Sequence, residues 1–331
     1  MFRSKIKSYF GGLVIVLLVA IGQTPVKADI VLTSISVGTS PLDVAVSPFN
    51  DRVYVTNNGS NSVSVIDAAS NTVIATVPVS AGSITNLAVS PDNTKVYVVS
   101  QNTNTVQILS TSSLSVIGSI AVGSTPIDVA FDSSGTFAYV TNYSSQSVTV
   151  ITVASNSVFT TISGLHEGPR GVVVANVPGV GNRVYVAHAG PFNNEVSYFT
   201  APSGAVNYIP VSGGPFFLAA RPDGTKVYAS LNVASQTASI DTSTNTVLAY
   251  IADFGLTPFG IAVAADRVFV ADSNGNGSGW NVTRIDSASD IAVGQLFVGK
   301  KPKGVAASPD GARVYVAISG KNRVDVIDTT Q

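Results

Sequence analysis

Cysteine is absent from all 331 residues, and methionine and tryptophan occur once each. Without cysteine there is no disulfide framework, no thiolate metal centre, no cysteine nucleophile and no covalent c-type haem. Histidine occurs only at positions 166 and 188, which is thin for a transition-metal centre, because catalytic zinc normally takes three protein ligands. Charged residues make up only 11% of the chain, so serine, threonine and asparagine must supply most of the polar surface. No helical hydrophobic period stands out after the first 28 residues. Stability must therefore come from burial alone, and a chain of this length can bury a large fraction of its surface.

The N-terminus has its own composition. Arg3, Lys5 and Lys7 precede an apolar run from Gly11 to Gly22, and Val26-Lys27-Ala28 places small residues where a signal peptidase reads. This is the pattern of a secretory signal. The run falls short of the ~20 residues that span a bilayer. Residues 1–28 are expected to be a leader, with 29–331 as a single mature domain that is periplasmic or secreted and has no transmembrane segment. Losing Arg3, Lys5, Lys7 and Lys27 leaves 14 basic and 19 acidic residues, a formal charge of −5. That balance argues against general capture of nucleic acid through phosphates.

What the chain has in abundance is repetition. Tyr54-Val55-Thr56-Asn57 returns unchanged as Tyr139-Val140-Thr141-Asn142. Aligned aromatics fall at Tyr54, Tyr97, Tyr139, Tyr185, Tyr228, Phe269 and Tyr315, spaced 41 to 46 residues apart. A fixed period in this range signals one supersecondary unit stacked many times. Within the first unit, Pro41–Val46, Arg52–Thr56, Ser62–Ile66 and Thr72–Thr76 read as short strands separated by turn residues. Ser90-Pro91-Asp92-Asn93, Arg221-Pro222-Asp223-Gly224 and Ser308-Pro309-Asp310-Gly311 supply the turn between the first two strands, with proline presetting φ and Gly or Asn accepting the left-handed end. Four short strands per unit make a propeller blade. Seven units begin near Ile35, Val77, Ile120, Ile162, Ile209, Ile251 and Leu296, and the seventh stops after its third strand. Ile30–Ser34 matches a fourth strand and is expected to complete that last blade, closing the ring and covering its edge.

The Gly-x-x-Pro-x-x-Val-Ala opening, the Ser-Pro-Asp-Gly turn, Val-Tyr-Val-Thr-Asn and the Val-x-Val-Ile-Asp close together resemble the YVTN-type β-propeller repeat proteins of bacterial periplasms and archaeal surface layers. The resemblance covers residues 30–328. It implies an all-β, seven-bladed propeller of four-stranded antiparallel blades, used as a binding or surface-display scaffold whose ligands vary.

In such a blade the residues just after the aligned prolines should ring the channel mouth. They vary where the cores do not: Leu42-Asp43, Thr85-Asn86, Ile127-Asp128, Arg170-Gly171, Phe216-Phe217, Phe259-Gly260 and Lys303-Gly304. Phe216 and Phe259 could form an apolar wall while Arg170 and Lys303, with Lys300 and Lys301 nearby, orient an anion, and Asp43 and Asp128 complete the candidate set. The leading expectation is a binding or scaffold protein that holds a small molecule or partner polypeptide. A lactonase-like or lyase-like enzyme using His166, Glu167, Arg170 and His188 is the alternative, and a structural envelope component is a third. No cofactor is expected. Asp272, Asn274 and Asn276 open like a calcium loop, but the closing bidentate glutamate is replaced by Thr283, so an ion-free loop is the expectation there.

Overall fold

The computed structural model describes residues 29–80, 82–190, 194–273 and 280–330. The asparagine positions 274 and 276 of the calcium reading lie outside these residues. Seven four-stranded sheets form the ring. The first blade is β2 (Pro41–Val46), β3 (Arg52–Asn57), β4 (Ser62–Asp67) and β5 (Thr72–Pro78), each antiparallel to its neighbour. The final blade consists of Pro302–Ala307, Arg313–Ile318 and Arg323–Asp328, and its fourth strand is β1 (Ile30–Ser36). Ile30 pairs with Asp328 and Ser36 with Arg323, so the chain's first strand closes the ring against its last.

The burial pattern explains the sequence pattern. The second and third strands of a blade are covered on both faces and read as nearly continuous buried residues, whereas the outer strand alternates. The aligned aromatics Tyr54, Tyr97, Tyr139, Tyr185, Tyr228, Phe269 and Tyr315 are all 0–1% exposed. They sit between blades: Tyr54 packs with Ile84, Leu87 and Val96 of the second blade, and Tyr315 with Val44, Val53 and Val55 of the first. The core is thus divided into one apolar seam per blade junction. Turns follow the expected chemistry, with Asn50, Asn93, Gly135, Gly224 and Gly311 all at positive φ between first and second strands. Between third and fourth strands, Asp67 accepts the Ser70 amide at 2.7 Å and Asp241 the Thr244 amide at 2.9 Å.

Two motif residues acquire specific jobs. Thr56 Oγ1 accepts from the Asp43 amide at 3.0 Å and donates to the Thr85 carbonyl of the next blade at 2.8 Å. Asn57 donates to Ser62 and Ser64 at 3.2 and 2.9 Å, tying the second strand to the third. Gly38 faces Asn57 so closely that a Cβ would lie 2.6 Å from its side-chain carbon, and Gly123 faces Asn142 in the same way. The glycine of the blade opening and the asparagine that ends the second strand are therefore two halves of one contact.

Candidate ligand site at the channel mouth

In every inner strand the pairing register shifts just after the aligned proline position, as between Pro41 and Asp43, Pro169 and Val172, or Pro302 and Val305. A bulge leaves the extra residue unpaired and re-aims its side chain. This is the local reason that post-proline residues, rather than others, face the axis. Inner-strand residues of all seven blades enclose an axial cavity of about 170 Å³, among them Asp43, Asn86, Asp128, Phe217, Phe259 and Gly304. That is smaller than the ~300 Å³ at which ligand pockets begin, so a ligand larger than a few atoms must sit on the rim.

The rim carries a continuous stack of cations and rings. The Arg170 guanidinium lies 4.8 Å from the centroid of Tyr143 and 4.5 Å from that of Phe216. Phe216 and Phe259 are 5.0 Å apart, and the Lys303 ammonium sits 3.9 Å over Phe259. The order Tyr143, Arg170, Phe216, Phe259, Lys303 runs through five successive blades. A cation held over ring faces gains cation–π attraction, yet neither Arg170 nor Lys303 has a carboxylate partner among the described residues. Arg170 Nε is buried with no hydrogen-bond partner. Burial holds the Arg170 guanidinium below its usual range, and burial together with the Lys301 charge does the same to Lys303. An anion arriving here would relieve both.

The opposite side of the axis is acidic. Asp43 Oδ2 accepts the Leu87 amide at 3.1 Å, and Asp128 accepts Asn86 Nδ2 at 3.0 Å and the amides of Val129 and Val172 at 2.9 Å. These carboxylates knit neighbouring blades together. Burial, followed by the charge of Asp128, pushes Asp43 up to about 7, and burial pushes Asp128 up to about 6. Both raised values mean that the folded protein holds more protons than the unfolded chain as pH climbs from about 4 to about 7. Stability contributed by these groups is then present at low pH and lost through that window. Asp43→Asn, which keeps an acceptor for Leu87, is expected to raise Tm at pH 7.5 and leave it unchanged at pH 4.5. Thermal unfolding at the two pH values checks this, and an equal change at both would refute it.

His166, Glu167 and His188 stand apart from this rim chemistry. His188 is fully buried; its Nε2 pairs with Ser197 Oγ at 2.8 Å and its Nδ1 meets the His166 carbonyl at 3.1 Å. It occupies the position of Asn57 and makes the same link to the third strand. His166 is half-exposed, hydrogen-bonds Glu195 rather than Glu167, and stacks on Tyr208 at 3.9 Å. Asp272, also at the Asn57 position, is buried against Gly255 and accepts Thr283 Oγ1 at 2.7 Å. Burial pushes Asp272 up to about 7, and burial plus the Asp272 charge pushes Asp253 there too. No group of three ligand-type side chains that could hold a metal gathers among the described residues.

Tyr143 and Glu195 are the residues that sequence reasoning missed. Tyr143 had a signal, since it directly follows the repeated Tyr-Val-Thr-Asn and replaces Asn58. Glu195 had none, because its meeting with His166 depends on pairing across two strands.

Seven four-stranded antiparallel blades closed by the N-terminal strand define a seven-bladed β-propeller. The chain belongs to the YNCE-like beta-propeller family, whose sequence profile matches residues 32–313. No curated protein sequence matches it. Among solved structures, a chain of Kuenenia stuttgartiensis hydrazine synthase is similar at a TM-score of 0.77 and 22% identity, covering 94% of this chain and 99% of its own length. At that identity the likeness is one of fold. In all, 1644 solved chains match, as befits a scaffold that hosts unrelated functions.

Proposed function

We propose that the protein is an exported binding propeller whose mouth holds a small molecule, or a short segment of a partner polypeptide, with an anionic group set against an apolar body. The observation that carries this reading is the rim stack itself. Arg170 and Lys303 are half-buried cations without carboxylate partners among the described residues, mounted over two aromatic rings that touch each other. Stacking on Tyr143 and Phe216 covers the faces of the Arg170 guanidinium and leaves its in-plane N–H groups as a fork suited to a carboxylate or phosphate. The acidic wall at Asp43 and Asp128 repels an anion from the axis and so orients it toward the rim.

The enzymatic alternative draws no support from His188, whose two ring nitrogens are both engaged in a closed interior. The export part of this reading rests on the leader pattern of residues 1–28, in which cleavage after Ala28 leaves Asp29 as the first residue. Mass spectrometry of the protein recovered outside the cytoplasm should find a mature chain beginning at Asp29; a chain retaining residues 1–28 would remove the export proposal.

The binding test uses aryl and alkyl carboxylates and phosphates, each beside its neutral amide or ester. Phe216→Ala should weaken the best anion by at least about tenfold through lost burial. Arg170→Gln should abolish its preference over the neutral analogue, while His188→Asn, the residue at the equivalent position of the first blade, should leave binding intact. If no anion in the panel binds, or Phe216→Ala and Arg170→Gln bind as the parent does, the mouth is not the site.

A further inference from the structure

On the face opposite the mouth, one interaction recurs from blade to blade. In six of the seven blades the residue two before the aligned aromatic sends a cation to a backbone carbonyl of the next blade, just after its third strand. Arg52 bonds the Thr111 carbonyl and Arg313 bonds that of Ala68, closing the circle. Lys95 reaches Val153 at 2.8 Å, Arg183 reaches Thr242 at 2.6 Å, Lys226 reaches Ser287 at 3.0 Å and Arg267 reaches Thr329 at 2.7 Å. Six of the seven junctions are bridged in this way. The exception lies between the third and fourth blades, where Phe137 stands in the cation's place and leans on Phe159 at 5.1 Å. The matching acceptor is the carbonyl of Ala201, placed as the others are by its own amide bonding back to Asn182.

This junction is not simply closed over. A cleft of about 280 Å³ opens there, lined by Asp132, Phe137, Asn182, Thr200 and Ala201 among others. Ser47, Ser90 and Ser308 hold the equivalent of position 132 in three other blades, each donating its amide to the first residue of the second strand just as Asp132 does. Asp132 and Ser134 exchange the positions of Ser90 and Asp92, so the turn's carboxylate, which still accepts the Thr136 amide at 2.9 Å, is here only 3% exposed. It has no ion-pair partner among the described residues, at the one junction that lacks a cation. The Tyr139 hydroxyl is buried and unpartnered, as are those of Tyr54 and Tyr315, while Tyr97, Tyr185 and Tyr228 donate theirs to the turn of the following blade. The missing cation rather than the tyrosine therefore sets this junction apart.

We propose that the cleft between the third and fourth blades binds a guanidinium or alkylammonium group brought by a ligand. The protein displays the chemistry of this contact six times with its own side chains. Here it offers the same kind of carbonyl, the repositioned Asp132 carboxylate and the Phe137 and Phe159 rings, without the cation. A free organic cation and the arginine side chain of a peptide present the same group, and the test separates them.

N-butylguanidinium and its neutral isostere N-butylurea are the probes, followed by chemical-shift titration or thermal shift on the full propeller. Saturable binding of butylguanidinium at millimolar concentration is expected, and none of butylurea. Phe137→Arg supplies the cation internally, so it should raise Tm and abolish the binding. Asp132→Asn, which preserves the turn's acceptor, should weaken it about tenfold. The tripeptide Gly-Arg-Gly binding more tightly than butylguanidinium would assign the site to a polypeptide side chain, and weaker binding would assign it to a free cation. Equal binding of butylurea, undiminished binding in Asp132→Asn, or no binding of butylguanidinium would each overturn the proposal. The readout is separate from the mouth, because Arg170→Gln should leave it unchanged.

Discussion

A protein beginning at Val37, and so lacking Asp29–Ser36, should melt at least about 10 °C below the full propeller and should self-associate. The strand it loses is the outer member of the last blade, paired along its length with Arg323–Asp328. Ile35 is 5% exposed and packs in the seam with Val44, Val53 and Val324. Burying such a side chain contributes about 1.5–3 kcal/mol. Ser34 also donates to Asp325 at 2.6 Å, one of the interactions that satisfies a carboxylate with 0% exposure. Asp29 adds a second anchor: its fully buried carboxylate takes Arg267 and, at 3.1 Å, Arg284 of the preceding blade. Asp29→Ala alone should cost about 3 kcal/mol, because two half-buried cations lose their common partner. Differential scanning calorimetry and light scattering provide the measurements. A truncated protein that melts with the parent and stays monodisperse would show that β1 does not hold the ring shut.

How much of this could be read before folding depends on the range of each interaction. The turns, the four strands per unit and the closing strand were legible because each is written in a dozen residues and then repeated. The post-proline ring was legible as well, since variation at a fixed point of a repeat marks the part that the core does not constrain. Contacts across blade junctions were not. Arg52 and Thr111 are separated by 59 positions, and nothing in either segment announces the other until the ring brings them together. His188 shows the complementary limit. As one of two histidines in a chain poor in ionisable side chains it drew attention, yet it replaces Asn57 in a buried link between strands. Asp272 also stands at the asparagine position and bonds the third strand through Thr283. Rarity in composition marks a residue as conspicuous, while its register within the repeat reports what it touches.

Gly260→Ala should be the most damaging single methyl that the channel wall can receive, costing about 3 kcal/mol by overpacking. The backbone conformation at Gly260 is not left-handed, so alanine meets no torsional penalty and the effect isolates packing. A Cβ there would lie 2.2 Å from the Lys303 carbonyl oxygen and 2.9 Å from Gly304 Cα, both backbone atoms of the next inner strand. Neither can rotate away as a side chain could. The ring is closed differently on its two halves: Asp43 and Asp128 reach across junctions with carboxylates, whereas the sixth and seventh blades meet backbone to backbone over glycine. Forcing that junction apart would also shift Phe259 and Lys303, the two rim residues that flank it, so ligand affinity at the mouth should fall with stability. Gly164→Ala supplies the contrast, since no atom lies within 4 Å of its added Cβ, although its φ of +75° carries a conformational cost. That cost is about 1 kcal/mol, and it should leave mouth binding untouched. Urea denaturation of both variants measures the difference. A Gly260→Ala protein as stable as Gly164→Ala would mean that the inner strands can part without strain, and the rigid rim on which the proposed site depends would lose its physical basis.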